Sequence, residues 1–599
     1  MTQAGLQVPS VHEPALSGRR SLRGLPIIVG VTGHRDLRAE DLAELERAVG
    51  RILDQLRADY PTTPLLALTP LAEGADRLLA RVAIARNISY LVPLPLPLAQ
   101  YCQDFSPASR SEFGELLRGA VGSYAMPFVR DNDPENVAEP DRRAHQYALV
   151  GAHIARASHV LIALWDGEQS TAVGGTAEIV RFRCYGVPGH YLHRTSVLDA
   201  PETGCVYHVY APRFAQQDAV VPPGHTQRIV RGGLPTTDAP YALAVLEGEK
   251  SDPFEPLYRR IADFNDDCQL IDQAPTSATS FTERRMRMAE AAANHYQRKS
   301  RVALDRLFLA TGVAALTLAG YSHLYPRKHL LVLPYLAALV IAGLAYLAAR
   351  RGRWQDRCQD YRALEMGLWV QHVWMRIGLR DSVADYYVRR QRSELDWIRE
   401  AIRTAHNVDR AVNPTYAFDE ADGVAAVRDF VAKQLAYFET ASKRESAAAN
   451  RYKRLATWAL GLSFASSVLL IAFGVSMHLW WTFGRASYPT DDVTETAHGV
   501  LIFLIAASTI LAALLHDYPE RRALHQHARR YSVMQAIYQR AIDALDRADQ
   551  PQQDPDDDAP ASRLAVAREV ILDIGREAVV ENGEWVLLHR ELPIELLSV

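Results

Sequence analysis

Four stretches of this chain carry no Asp, Glu, Lys or Arg: Leu307 to Leu324, His329 to Ala349, Leu455 to Trp481 and Ala497 to His516. Each is about as long as the roughly 20 residues a helix needs to cross ~30 Å of hydrocarbon. They fall into two hairpins, 307–349 and 455–516. The pattern predicts four transmembrane helices. Outside them the grammar changes twice: short apolar runs alternate with helical periodicity before residue 270, and charged amphipathic helix dominates after it.

The same four runs as buried helices of a large soluble core are the alternative, and the flanking charges oppose it. Arg298, Lys299, Arg301 and Arg306 precede the first run, and Arg350, Arg351, Arg353 and Arg357 follow the second. Lys443, Arg444, Arg451, Lys453 and Arg454 precede the third, and Arg521, Arg522, Arg529 and Arg530 follow the fourth. The connecting loops are poorer in positive charge, with Arg327 and Lys328 in one, and Arg485 beside Asp491, Asp492 and Glu495 in the other. Positive charge stays on the cytoplasmic side, which predicts a multi-pass inner-membrane protein with cytoplasmic N- and C-termini. Trp480 and Trp481 suit the interfacial belt at the outer end of the third run.

The hairpins also read as copies of one another. Glu290-Ala-Ala-Ala-Asn-His-Tyr296 leads into the first, and Ser446-Ala-Ala-Ala-Asn-Arg-Tyr452 leads into the second, 156 residues later. Two tandem units are expected, each a cytosolic helix entering the membrane, a hairpin and a returning helix.

Before residue 270 the apolar runs Ile27–Val31, Leu65–Leu68, Ile88–Val92 and Val160–Trp165 read as strands buried on both faces. Helical spacing separates them, as in Leu42, Leu45, Val49, Ile52, Leu53 and Leu56. This is an α/β domain with a Rossmann-like, mainly parallel sheet, followed by an all-α membrane part. The expected plan is a disordered tail 1–24, the sheet domain 25–270, helical units 271–410 and 411–548, an acidic flexible linker 549–562 and a docking segment 563–599.

Composition narrows the function classes. A net charge of −4 over 599 residues gives no general attraction to nucleic acid. Five cysteines without a CxxC pair exclude a disulfide framework and give no zinc signature, so no metal or other cofactor is expected. No apolar stretch lies within the first 24 residues, so insertion is expected to be directed by the internal spans.

Ligands of an open parallel sheet bind where strand-to-helix turns gather, and glycine there lets the backbone approach a phosphate closely. Three turns have that form: Gly30-Val-Thr32-Gly33-His34-Arg35, Glu73-Gly74-Ala-Asp76-Arg77 and Gly174-Gly175-Thr176-Ala-Glu178, with Asp166 ending the strand before the last. Arg35 is a candidate phosphate fork, Thr32 and Thr176 are hydroxyl donors, and Asp76 or Glu178 is an acceptor for ribose hydroxyls.

The set GVTGHR, EGADR, LWDG and GGTAE resembles the SLOG superfamily, which includes the LOG phosphoribohydrolases and the cytosolic sensor domain of TRPM channels. That resemblance covers roughly residues 25 to 270 and implies a nucleotide-derived ligand held by the glycine turns. Hydrolytic members resemble a PGGxGTxxE pattern. Here the leading Pro is absent, and one residue rather than two separates Thr176 from Glu178. The membrane units, with Tyr296 before one span and Trp354, Tyr361 and Glu365 after the next, look like the SLATT modules associated with SLOG sensors in bacterial conflict systems. The resemblance implies a ligand-gated membrane effector that forms or opens a pore, assembled as a homo-oligomer because four spans rarely enclose a pore. A membrane-tethered nucleotide N-glycosidase, with Glu178 or Asp76 as acid/base, and a membrane-anchored adaptor are the two alternatives.

Overall fold

A computed structural model describes residues 22–192, 200–214, 221–231, 243–245, 254–271, 278–325, 328–387, 395–412, 420–484, 492–549 and 562–590. The elements run β1 (Ile27–Gly33), α1 (Leu42–Asp59), β2 (Leu65–Leu68), α2 (Ala75–Ala85), β3 (Ser89–Leu94), α3 (Leu98–Tyr101), α4 (Pro107–Gly119), β4 (Gly122–Ala125), α5 (Pro140–Ala157), β5 (Val160–Trp165) and α6 (Thr176–Tyr185). Then come β6 (Val206–Tyr210), β7 (Thr226–Arg231), β8 (Leu243–Val245), α7 (Glu255–Ile271), α8 (Phe281–His323), α9 (Val332–Arg351), α10 (Trp354–Arg376), α11 (Asp396–Val412), α12 (Glu420–Gly484), α13 (Asp492–Arg521), α14 (Leu524–Asp549) and α15 (Arg563–Arg590). The chain divides into two compact units. One holds residues 1–272, 276–285 and 389–415, and the other holds 273–275, 286–388 and 416–599.

In the first unit the strands lie in the order β4-β3-β2-β1-β5-β6-β7-β8. The six strands from β4 to β6 pair in parallel, while β7 and β8 are antiparallel additions at one edge. The mainly parallel sheet expected from the apolar runs is present, and its helices cover both faces. Ile27, Val29 and Val31 pack with α1, α2 and α4, whereas Ile28, Leu161 and Ala163 pack with α5 and α6. This is the period-two alternation of a strand sandwiched between helices. Chain order reverses at β1: β2, β3 and β4 run off one side, and β5 begins the other. Such a reversal opens a crevice at the carboxyl ends of the two strands.

Two parts of this unit lie outside the boundaries drawn from sequence. Residues 22–24, expected in the tail, are folded: Arg285 donates to the carbonyls of Leu22 (2.6 Å) and Arg23 (3.3 Å), and Gly24 is buried beside Asn265. Residues 1–21 are outside the described residues. The second part is α11, which follows the first hairpin in sequence but belongs with the sheet. Val408 and Ala411 join the core on the α5 face. Arg403 bonds Glu202 (3.0 Å), which also holds Arg156 (2.8 Å). Glu202 is mostly enclosed, and the surrounding guanidinium groups hold its pKa well below the usual carboxylate range. An enclosed acid is retained when it is paired in this way.

Asp409 of α11 also caps the start of α8. Its two carboxylate oxygens accept the N–H groups of Phe281 (2.7 Å) and Thr282 (2.8 Å), two of the four donors that a helix start leaves unpaired.

The second unit is entirely helical among its described residues. Four helices, α8, α9, α12 and α13, each contain a stretch long and apolar enough to cross a membrane. α8 and α12 are continuous over 43 and 65 residues, so the charged lead and the apolar run are one helix in each case. α9 and α13 both end at a break in the left-handed region, Arg353 (φ 48°) and Ala523 (φ 52°), before α10 and α14 begin. The repeat read from the lead-in sequences is thus matched by helix, hairpin, break and returning helix in both halves. Ser463 of α12 bonds Thr509 of α13 (2.9 Å), and Tyr518 of α13 donates to Asp305 of α8 (2.7 Å). Away from these contacts the apolar surface is open: Trp458, Phe464 and Phe483 are each more than 70% exposed, and only 6% of the most apolar part of α12 is buried. α15 packs on α10, where Trp374 donates its indole N–H to the carbonyl of Ile571 (3.0 Å). The linker positions 550–561 and the last nine residues lie outside the described residues.

Because Asp409 satisfies two donors at once, Asp409→Ala should destabilise the full chain by about 1–3 kcal/mol, the cost of stranding buried polar groups. Asp409→Asn, which keeps one acceptor oxygen, should lose less. Thermal unfolding that ranks Ala and Asn equal to the parent would show that the cap is dispensable.

Candidate functional site

The crevice is built from the turns after β1, β2 and β5. Gly74 has φ +76°, and a Cβ there would sit 2.3 Å from the carbonyl oxygen of His34, so the second turn closes directly onto the first. Ala75 N–H then donates to that carbonyl (3.1 Å), fixing the start of α2 against the end of β1. On the other side Asp166, at the end of β5, reaches His34. The His34 Nε2 atom lies 3.1 Å from the Asp166 N–H and 3.2 Å from its carboxylate. Burial lowers the His34 pKa against the opposing pull of Asp166, so the neutral ring accepting from the backbone is the consistent arrangement. The Asp166 carboxylate takes Arg213 (2.9 Å) and the N–H of Glu168 (3.0 Å).

The third turn meets the first through α5. Arg35 lies with its guanidinium 4.9 Å from the ring centroid of Tyr147, and a Cβ on Gly174 (φ +74°) would lie 3.4 Å from the Cβ of the same tyrosine. Tyr147 also donates to Asp104, which Arg143 holds from the next turn of α5 (2.6 Å). The three glycine turns therefore converge on one place.

They do not contribute in the same way. Gly30 lies deep in the strand, where a side chain would strike Ser158 and Ile154, and Gly33 packs on Ala75; both let helices close on β1. Glu73 accepts from Ser109. Arg77 is buried, bonds Glu112 (2.7 Å) and the Leu71 carbonyl (3.2 Å), and lies over Phe105. Glu178 turns back to accept the N–H of Gly174 (2.6 Å), closing its own turn. His34 and Asp166 hold each other. These residues build the crevice.

What remains are donors. Arg35 is exposed, and among the described residues it forms no hydrogen bond or ion pair. Thr32 sits at the carboxyl end of β1 on the α5–α6 face, two positions along that face from Gly30, and Thr176 opens α6 just after Gly175. Helix α6 presents its first N–H groups and positive end at this turn. Asp76 lies within electrostatic reach of Arg35. Its carboxylate is buried, accepts Ala72 N–H (3.2 Å), and is pushed up to about 7 by burial, against the opposing charge of Arg35. Tyr147 and Arg143 were not singled out from sequence. Their trace there is an i, i+4 aromatic–cation pair on the helix that feeds the switch-point strand.

One open guanidinium, two hydroxyls and a helix start make a surface suited to holding an anion with hydroxyl groups. In comparisons with protein-family models, curated proteins and solved structures, nothing matches this chain.

The raised Asp76 pKa gives a pH signature. The unfolded carboxyl loses its proton near pH 4, whereas the folded one keeps it to about 7. Between these values the folded state binds more protons, so this group removes stability as pH rises through the window, and the loss is complete above it. Asp76→Asn should therefore raise the unfolding temperature of the full chain by several degrees at pH 8 and progressively less towards pH 5. A variant less stable than the parent at pH 8 would mean that Arg35 holds Asp76 ionised.

Proposed function

We propose that this protein is a membrane effector in which the sheet unit binds a nucleotide-derived signal and the helical unit answers it by opening or perturbing the bilayer. The observation that carries the reading is the unpaired Arg35 on Tyr147, at the meeting point of three glycine turns, in a chain that also has four lipid-length helices with open apolar faces. A phosphate fits the Arg35 fork and the start of α6, and Thr32 and Thr176 offer hydroxyls beside it. SLOG-type sensing with SLATT-type membrane units is the family reading that accords with this division, and a bacterial defence role follows from it.

Coupling has a covalent route. The first turn of α8 is held by Asp409 and Arg285 in the sheet unit, and the same helix continues as the first apolar run. A ligand shifts the membrane state only by its difference in affinity for the two forms. Moving a population from 1:99 to 99:1 takes about 5.5 kcal/mol, which favours several subunits acting together. Open apolar faces on α9 and α12 provide surfaces for such a homo-oligomer as well as for lipid.

The hydrolase alternative needs a free carboxylate, and the two candidates have other partners: Glu178 bonds Gly174 N–H, and Asp76 is buried under Ala72 N–H. That supports binding over turnover. An adaptor would need no open donor cluster.

The test is a calorimetric screen of the full chain in detergent against nucleoside monophosphates, cyclic dinucleotides and NAD-type ligands, with product analysis of each mixture. A hit should weaken at least tenfold in Arg35→Gln and in Gly175→Trp, with the bound compound recovered intact. Release of free base would establish the hydrolase instead, and equal affinity in both variants would place the ligand elsewhere. Topology is tested by cysteine labelling in intact cells: Tyr325→Cys should react with an impermeant thiol reagent and Lys443→Cys should not. The reverse pattern would invert the orientation.

A further inference from the structure

An amphipathic cavity lies away from the crevice. It lies between α8 and α9 in the helical unit, has a volume of about 610 Å³, and combines Arg298, Lys299 and Arg306 with Val302, Ile341 and Leu344. We propose that this groove binds an anionic phospholipid of the cytoplasmic leaflet, headgroup on the three cations and acyl chain along the α9 side. The inference rests on the membrane reading above.

Three observations favour that occupant. First, the lining has cations and no carboxylate. Among the described residues Arg298 bonds only the Asn294 carbonyl (3.4 Å), Lys299 stands 5.4 Å from the Tyr296 ring and 5.7 Å from the Trp354 ring, and Arg306 has no ion pair. Cationic side chains at this level of a span are where phosphate headgroups are met.

Second, the groove changes character along its length as an amphiphile does. Arg298, Val302 and Arg306 repeat every fourth residue on one face of α8, rising about 12 Å at 1.5 Å per residue to the edge of the charge-free run. Leu307 and Ala310 then close against Ala342, so the groove is stopped on the membrane side of Arg306 by a packed contact. Ile341 and Leu344 face out of the α9 surface at 53% and 62% exposure, an open wall for hydrocarbon.

Third, the second repeat lacks the feature. At the 156-residue offset Arg298 corresponds to Arg454, but Lys299 and Arg306 correspond to Leu455 and Leu462. Arg454 adjoins its apolar run as Arg306 does, but in the repeat register the cations of the second copy end at the position of Arg298, and the positions of Lys299 and Arg306 are apolar. Cations carried into the groove itself are particular to the first hairpin.

The experiment uses the full chain in mild non-ionic detergent, with thermal stability followed during titration with phosphatidylglycerol, phosphatidylcholine or glycerol 1-phosphate. Phosphatidylglycerol should stabilise the parent by several degrees, and the other two should not. The triple variant Arg298→Gln, Lys299→Gln, Arg306→Gln should lose at least tenfold in apparent affinity. Leu344→Trp, which fills the groove and keeps every charge, should do the same, whereas Arg451→Gln with Arg454→Gln should keep the response. Equal stabilisation by phosphatidylcholine would make the site a general lipid contact, and stabilisation by glycerol 1-phosphate would make it a soluble-anion site; either overturns the proposal. So does a control variant that loses as much as the triple. A chain that stays dispersed without detergent defeats the membrane reading itself, which is a separate outcome from a detergent-requiring chain with no lipid preference.

Discussion

The constraint from which the rest follows is that four helices carry apolar surface that the chain does not cover. Water penalises such a surface at about 25 cal/mol per Å². An exposed apolar area on this scale marks a partner surface rather than a stable solvent face. Leu309, Trp458, Phe464 and Phe483 are among the most exposed large apolar side chains of the described residues. Under the proposed membrane reading, lipid would remove the penalty without any further partner, and the arginines and lysines at the charged ends of these helices would set the depth at which it acts. The long continuous helices α8 and α12 suit that reading, because the backbone of a span must satisfy its own hydrogen bonds.

The sheet unit is governed by a different accounting, that of polar groups at one reversal in strand order. His34, Asp166, Gly74 and Glu178 spend their hydrogen-bonding capacity on one another and on the turns around them, which fixes the geometry of the crevice. Arg35, Thr32 and Thr176 are then held in place with donors to spare. The carboxylates of Asp76 and Glu178 are committed to backbone N–H groups, and open donors beside committed acceptors suit an anion. Asp409 and Arg285 hold the start of α8 in the same unit, and that helix continues without a break into the first apolar run.

Much of this was legible in the sequence, and for physical reasons. Runs without charge report burial in any solvent, so the four apolar helices and the strands β1, β2, β3 and β5 stood out from their apolar patterns. The glycine turns were legible because strand-to-helix turns in a parallel sheet need them. Their individual roles were not: whether a glycine cradles a ligand, as was inferred for Gly30, or admits Ser158 against β1 depends on which helix lies over it. Glu178 shows the same limit, since its capping of Gly174 N–H is a matter of rotamer. The placement of α11 with the sheet was also hidden. Its partners Glu202, Arg156 and Phe281 lie up to some 250 residues away in sequence, beyond the reach of any local periodicity. β4 and the β7–β8 pair were missed because their short strands at the sheet edge have no continuous apolar run.

The central claim is that the crevice and the spans act as one device, and ion flux from proteoliposomes reports on it most directly. With the full chain reconstituted in vesicles loaded with a fluorescent ion indicator, addition of a nucleotide bound at the crevice should raise the flux at the concentration that saturates binding, and Arg35→Gln should shift both curves together. Flux that is absent at saturating nucleotide, or that proceeds unchanged in Arg35→Gln, would contradict the account.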